Sequence, residues 1–252
     1  MSLLLYSESA GLGELRFNDP ERLNAMGEEM AAAMREMLLV LRSAPPRALI
    51  LCGQGRAFSA GGDLTMLERK RSLGREENRR LMLEFYASFL GLLELEVPLI
   101  AALHGHAVGA GMVLATACDL RVADPEARFS FPFARLGLHP GMGSTFFLPR
   151  LVGPGAAREL LLTGAMVDSA RALSMGLINQ VSEPGKVLEL ARGVAGAILK
   201  GAPEAVRDTL ITLRGPREEL TRALEREAAC QADSYARPEF AEGLRAALEK
   251  RS

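Results

Sequence analysis

Apolar and polar positions along the 252-residue chain follow two different periods. "SLLLYS" (2–7) and "GELRFN" (13–18) are short apolar runs on either side of turn residues Ser9 to Gly11, and they predict two joined strands. Over 19–44, Met30, Met34, Met37 and Leu38 recur at helical spacing, which predicts a helix ending before Pro45. "RALILCG" (47–53) and "PLIAALHG" (98–105) are continuous apolar runs of strand length, as expected for strands covered on both faces. Leu64 to Glu96 predicts helix, broken near Gly74. A short helix is predicted from Gly109, with strands over "CDLRVAD" (118–124) and "ARFSF" (127–131). Beyond Met142 the pattern is mostly helical, through "GPGAARELLLTG", "VDSARALSMG" and the run from Pro203 to Lys250.

Strand, strand, helix, repeated and then followed by helices, predicts an α/β core with a C-terminal helical module. The expected division is 1–200 for the core and 201–252 for the helices. In the second part Leu210, Leu213, Leu220 and Leu224 could face their own core or another subunit.

Composition narrows the class. Hydrophobic content of 48% and charged content of 24% suit a soluble globular protein. A formal net charge of −1 gives no pull toward nucleic acid or an anionic membrane, and neither is expected as a partner. Val97 to Cys118 has no charged residue and enough length to span a bilayer. Pro98, His104, His106 and three glycines interrupt it, so a buried strand followed by a buried helix is the expectation. Cys52, Cys118 and Cys230 form no C-x-x-C pair, which argues against a disulfide framework or a metal site. Together with an N-terminus that lacks a secretory pattern, this leads to a cytoplasmic expectation.

Common nucleotide and hydrolase motifs fail. Gly53 and Gly55 begin a G-x-G, but Phe58 stands where the third glycine belongs. "AFSAG" approaches a nucleophile elbow around Ser59, with Ala57 in place of its first glycine. Two loops remain: "GQGRAFSAGGDL" and "GHAVGAGM". Each follows a buried strand and leads into a helix, so each offers unpaired N–H groups. On adjacent strands they could aim two amides at one oxygen, an oxyanion hole. The alternative is that both are merely tight connections.

The chain resembles the crotonase superfamily, the enoyl-CoA hydratase/isomerase family, in "NDPERLNAM", "GRAFSAGGDL", "PLIAALHGHAVGAGMVLATACDLRVAD", "FARLGLHPGMGSTFFLPRLVG", "LLTGAMVDSARALSMGLINQVSE" and "EGLRAALEKR". The resemblance implies an α/β, crotonase-like spiral of ββα units with a C-terminal helical oligomerisation module. It implies homotrimers or dimers of trimers, and acyl-CoA thioesters as substrates, with coenzyme A part of the substrate and no separate cofactor. The thioester oxygen would be held as an enolate by the N–H groups of Ala60 and Ala110. Arg22, Leu23 and Ala25, together with Gly61, Gly62, Asp63 and Leu64, match the family's CoA and adenine contacts. Lys250 resembles a lysine that reaches a neighbour's CoA phosphate, or is simply a solvated helix end. Asp63 has a second reading as a helix cap.

The departures concern proton transfer. Hydratases of the family carry glutamates at the positions of Val113 and Phe133, and some isomerases an aspartate at that of Gly141. All three are apolar or without a side chain here. "GAGM" with "LPRLVG" is closest in wording to the ring-oxepin isomerase branch of the phenylacetate pathway, without its aspartate. His106 and His139 are the remaining acid/base candidates, each with an alternative as a buried histidine bonded to backbone. Tyr86 is a further candidate, His104 suits a turn-holding role, and Met66, Phe85 and Phe89 suit an acyl tunnel or core. Three functions are open: an isomerase-type or other non-hydratase enolate reaction, decarboxylation of a β-carboxyl acyl-CoA, and non-catalytic acyl-CoA binding.

Overall fold

The computed structural model describes residues 2–249. An N-terminal hairpin of β1 (Leu4–Ser9) and β2 (Leu12–Phe17) leads into α1 (Glu28–Ser43). Three successive turns of chain then each contribute one strand to a large sheet and one to a small sheet. The first is β3 (Ala48–Gly53) and β4 (Ala57–Ser59), followed by α2 (Leu64–Arg69) and α3 (Arg75–Leu90). The second is β5 (Leu99–Leu103) and β6 (His106–Val108), followed by α4 (Ala110–Ala117). The third is β7 (Leu120–Ala123) and β8 (Arg128–Ser130), followed by α5 (Ser144–Thr163), which is kinked at Gly153. The large sheet has the order β1-β2-β3-β5-β7-β10 and the small one β4-β6-β8-β9, with β9 at Val167–Asp168 and β10 at Gln180–Val181. Strands β3, β5 and β7 pair in parallel, as do β4, β6 and β8. This is the spiral of ββα units that the resemblance implies.

The continuous apolar runs are explained by two cores. Leu49 and Leu51 of β3 face the main core with α1 and α3. Ala48, Ile50 and Cys52 alternate to the other face, under Val187, Ala191 and Ala195 of α7 (Val187–Leu199). The short α6 (Ser169–Ser174) precedes β10. Then come α8 (Pro203–Arg214), α9 (Arg217–Tyr235) and α10 (Pro238–Glu249). Helix α9 packs along α3 and α5, and α10 packs against α2 and the turn at Ala134–Leu136. No helix among the described residues is long and apolar enough to cross a membrane.

One expectation is corrected. Helix α1 begins at Glu28 rather than at 19, because Leu23 and Asn24 adopt left-handed φ of 53° and 55° after a single turn over Pro20–Arg22. Strands β4 and β6 also escape the sequence pattern, since three residues hold no recognisable alternation.

Candidate active site

The two glycine loops clasp each other. Gly61 has φ of 86°, and a Cβ there would collide with the Val108 carbonyl oxygen and lie 3.3 Å from the Ala110 nitrogen. A Cβ on Gly111 would lie 2.5 Å from Ser59 Cβ. Only glycine permits this approach. A third segment braces the first of these loops. The Asn24 side chain accepts from Asp19 N–H at 2.9 Å and donates to the Gln54 and Ala57 carbonyls at 3.0 and 2.8 Å. Ser59 Oγ donates to Asn24 O at 2.8 Å and accepts from Gly61 N–H at 3.1 Å.

This arrangement decides which amides are available. The Ala60 N–H is committed to Leu23 O at 2.9 Å, so the expectation that it faces a ligand is corrected. The donor of this loop with no acceptor among the described residues is Gly62 N–H. Its neighbours are engaged in the bridge to Met26, with Met26 N–H to Gly61 O at 2.7 Å and Asp63 N–H to Met26 O at 3.2 Å. Ala110 N–H opens α4 and likewise has no acceptor among the described residues, whereas Gly109 N–H is bonded to Ser130 O at 2.9 Å. Gly62 and Ala110 both line one cavity of about 310 Å³.

Leu64, Met66, Leu67, Met82, Phe85 and Phe133 give that cavity an apolar wall, and Gly243, Ala246 and Ala247 of α10 form part of its cover. No Asp, Glu or His is among its lining residues. Phe133 and Gly141 line it, but Val113 is fully buried in the core and is not part of the lining. Phe89 is likewise core and not lining. Asp63 acts as the cap of α2, its carboxylate accepting from Met66 N–H at 2.8 Å. Arg22, Leu23 and Ala25 stand beside the clasp and do not line the cavity. The Arg22 side chain pairs with Asp19 at 2.8 Å. Lys250 lies outside the described residues.

Neither acid/base histidine reaches the cavity. His106 is exposed on β6. His139 borders a separate hollow with Cys230, Asp233 and Arg237, and its Nδ1 meets Pro140 O at 2.6 Å. Burial lowers its pKa below the ordinary histidine value. His104 Nε2 meets Gly55 O at 3.0 Å, and burial lowers its pKa too. The polar side chains that do line the cavity are Ser130, Arg135, Tyr86 and Gln231. Burial holds the Tyr86 phenol far above its usual pKa, so at neutral pH it is a proton donor and not a base.

Three contributors escaped the sequence reading: Asn24, Gln231 and Glu227. Glu227 is fully buried, and its carboxylate accepts from Gly143 N–H at 2.5 Å and from Thr145 N–H and O–H at 2.8 and 2.6 Å. It thereby holds the turn that follows Gly141. The legible signal was the polar ladder Glu227, Gln231, Tyr235 at every fourth residue of an otherwise amphipathic helix. No group of three or more His, Cys, Asp or Glu among the described residues could hold a metal ion.

Comparison with known proteins places the chain in a family. The family model described as enoyl-CoA hydratase/isomerase matches residues 7–252. A Thermus thermophilus protein provisionally named an enoyl-CoA hydratase is 41% identical over 240 residues, 93% of each chain. The crotonyl-CoA hydratase of Syntrophomonas wolfei is 32% identical over 252 residues, 98% of this chain and 95% of its own. The crystal structure of an enoyl-CoA hydratase from Bacillus halodurans superposes with a TM-score of 0.89 at 27% identity, covering 97% of this chain and 100% of that one. The chain belongs to the enoyl-CoA hydratase/isomerase family.

Proposed function

We propose that this protein binds an acyl-CoA thioester and stabilises its enolate between the N–H groups of Gly62 and Ala110, in a reaction other than ordinary two-glutamate hydration. The observation that carries the reading is the pair of unpartnered amides on clasped loops, opening into a cavity with no carboxylate in its wall. Two such donors, fixed by backbone, favour charge that develops on the thioester oxygen. The α-proton would leave to water or to a group of the substrate. Coenzyme A enters as part of the substrate, and no separate cofactor is needed.

Decarboxylation is the second reading, favoured by the same lack of a base. The bond from the α-carbon to a carboxylate breaks, CO₂ departs, and the electron pair passes to the oxygen held by the two amides. Water then protonates the α-carbon.

A panel of 2-enoyl-, 3-enoyl- and malonyl-type CoA thioesters, followed by mass spectrometry, tests both. A positioned general acid or base contributes ~10²–10⁴-fold. Crotonyl-CoA hydration is therefore expected to run at least ~10²-fold below that of the Syntrophomonas relative, with double-bond migration or CO₂ loss in the other arms. Hydration as fast as that relative's would overturn the reading.

We further propose that the chain assembles as a homotrimer or a dimer of trimers. Leu162, Met166 and Leu173 are exposed apolar residues close together in sequence, and Met166 also lines the cavity. Light scattering that finds a monomer at micromolar concentration would contradict it.

A further inference from the structure

The cavity wall is apolar except at four side chains, and two of those are accounted for. Ser130 Oγ donates to Gly164 O at 3.0 Å. Arg135 is exposed, with its Nε on Thr163 O at 2.6 Å. Tyr86 and Gln231 differ, being 1% and 3% exposed, on α3 and α9.

Their bonding fixes where each group points. The Tyr86 hydroxyl donates to Gln231 Oε1 at 2.9 Å, and Gln231 Nε2 donates to His139 O at 2.8 Å. A carbonyl oxygen only accepts, so the amide nitrogen must face His139 and the amide oxygen must face the phenol. An amide nitrogen carries two protons, and the second has no acceptor among the described residues. The phenol donates its one proton to Gln231, and its oxygen keeps its capacity to accept. Both polar atoms lie beside Gly141. An ideal Cβ on Gly141 would lie 2.5 Å from Tyr86 Oη and 2.6 Å from Gln231 Nε2, and Gly141 itself lines the cavity. The pair fills the volume that a side chain at 141 would need.

Partly satisfied polar groups in an apolar cavity carry a desolvation cost that two apolar side chains would avoid. We propose that Tyr86 and Gln231 select acyl groups bearing a hydroxyl in the chain. The hydroxyl oxygen accepts the free Gln231 N–H, and its proton goes to the Tyr86 oxygen. A plain alkyl chain leaves both unanswered. The inference rests on the thioester site proposed above.

The test is equilibrium calorimetry with butanoyl-, pentanoyl- and hexanoyl-CoA, each against its counterpart hydroxylated on the fourth, fifth or sixth carbon. At least one hydroxylated thioester is expected to bind about tenfold more tightly than its alkyl parent, the scale of one net hydrogen bond. Tyr86→Phe and Gln231→Met should each shrink that ratio several-fold. A role confined to packing α3 against α9 would shift both members of a pair alike and leave the ratio intact. Equal affinities in every pair, or a ratio unmoved in both variants, would overturn the proposal while leaving the thioester site standing. Binding by neither series would remove the thioester site, and this selection with it. The wild-type ratios alone decide the matter if a variant fails to fold.

Discussion

Gly61 and Val108 are in direct backbone contact: the Gly61 α-carbon lies against the Val108 carbonyl oxygen, with no room for a methyl group between them. This contact sets the spacing of the two loops and so of the Gly62 and Ala110 amides. Gly61→Ala adds a clash to a φ of 86°, which alone costs of the order of 1–3 kcal/mol for a residue with a side chain. The variant is expected to lose stability by at least that amount and to lose affinity for an acyl-CoA. Denaturant unfolding and calorimetry with butanoyl-CoA measure the two effects. A variant with wild-type stability and affinity would show that the loops do not depend on this contact.

Asn24 is a second support. It is fully buried and makes three hydrogen bonds, one within the turn after β2, one to Gln54 just beyond β3 and one to Ala57 of β4. Asn24→Ala leaves the Asp19 N–H and two carbonyls without their side-chain partner. A buried group left unsatisfied costs about 1–3 kcal/mol, so a loss of about 2–4 kcal/mol is expected. The m-value should stay constant while the urea midpoint falls.

The same contacts show what the sequence could disclose. The long apolar run of β3 was legible because both its faces are covered, and the helical spacing of α1 because that helix buries one face. The quoted motifs carried the family and located both loops. The choice of donor within "SAGGD" was not legible, because it depends on Leu23, whose carbonyl takes the Ala60 N–H after a left-handed turn. Spacing does not announce two consecutive left-handed residues that are not glycine. The histidines were misplaced for a related reason. His106 lies in the second loop and His139 beside Pro140, but β6 turns the first outward and the Pro140 carbonyl holds the second. Gln231 lies ninety residues after Gly141 and reaches the cavity only because α9 folds back along α3.

Two half-buried histidines make a pH prediction. His104 and His139 both have folded-state pKa values below the ordinary histidine value, because burial disfavours the imidazolium. The unfolded chain therefore takes up protons first as the pH falls. Their contribution to stability is complete above the unfolded value of about 6.5 and is lost as the pH drops from there through the folded values. The double variant His104→Gln with His139→Gln should flatten the fall in urea midpoint between about pH 7 and pH 5. Parallel curves for the two proteins would show that neither histidine contributes to acid sensitivity.

Glu227 provides the last prediction. Its carboxylate is fully buried without a cationic partner in any ion pair of the described residues, and burial raises its pKa. It is retained by its three donors, which sit on the turn at Gly143 and the first residues of α5. An acceptor on both oxygens is what that turn requires, because both Gly143 and Thr145 present N–H groups. Glu227→Gln supplies one acceptor and one donor, so at least one N–H would face another N–H. The expected loss is about 1–3 kcal/mol. At about 2–4 °C per kcal/mol for a chain of this size, the thermal midpoint should fall by several degrees. Gly141 and Met142, which line the cavity, precede this turn directly, so affinity for butanoyl-CoA should fall with it. An unchanged midpoint would mean that the turn holds its shape without the carboxylate. A lower midpoint with unchanged affinity would confine Glu227 to capping α5 and separate it from the acyl site.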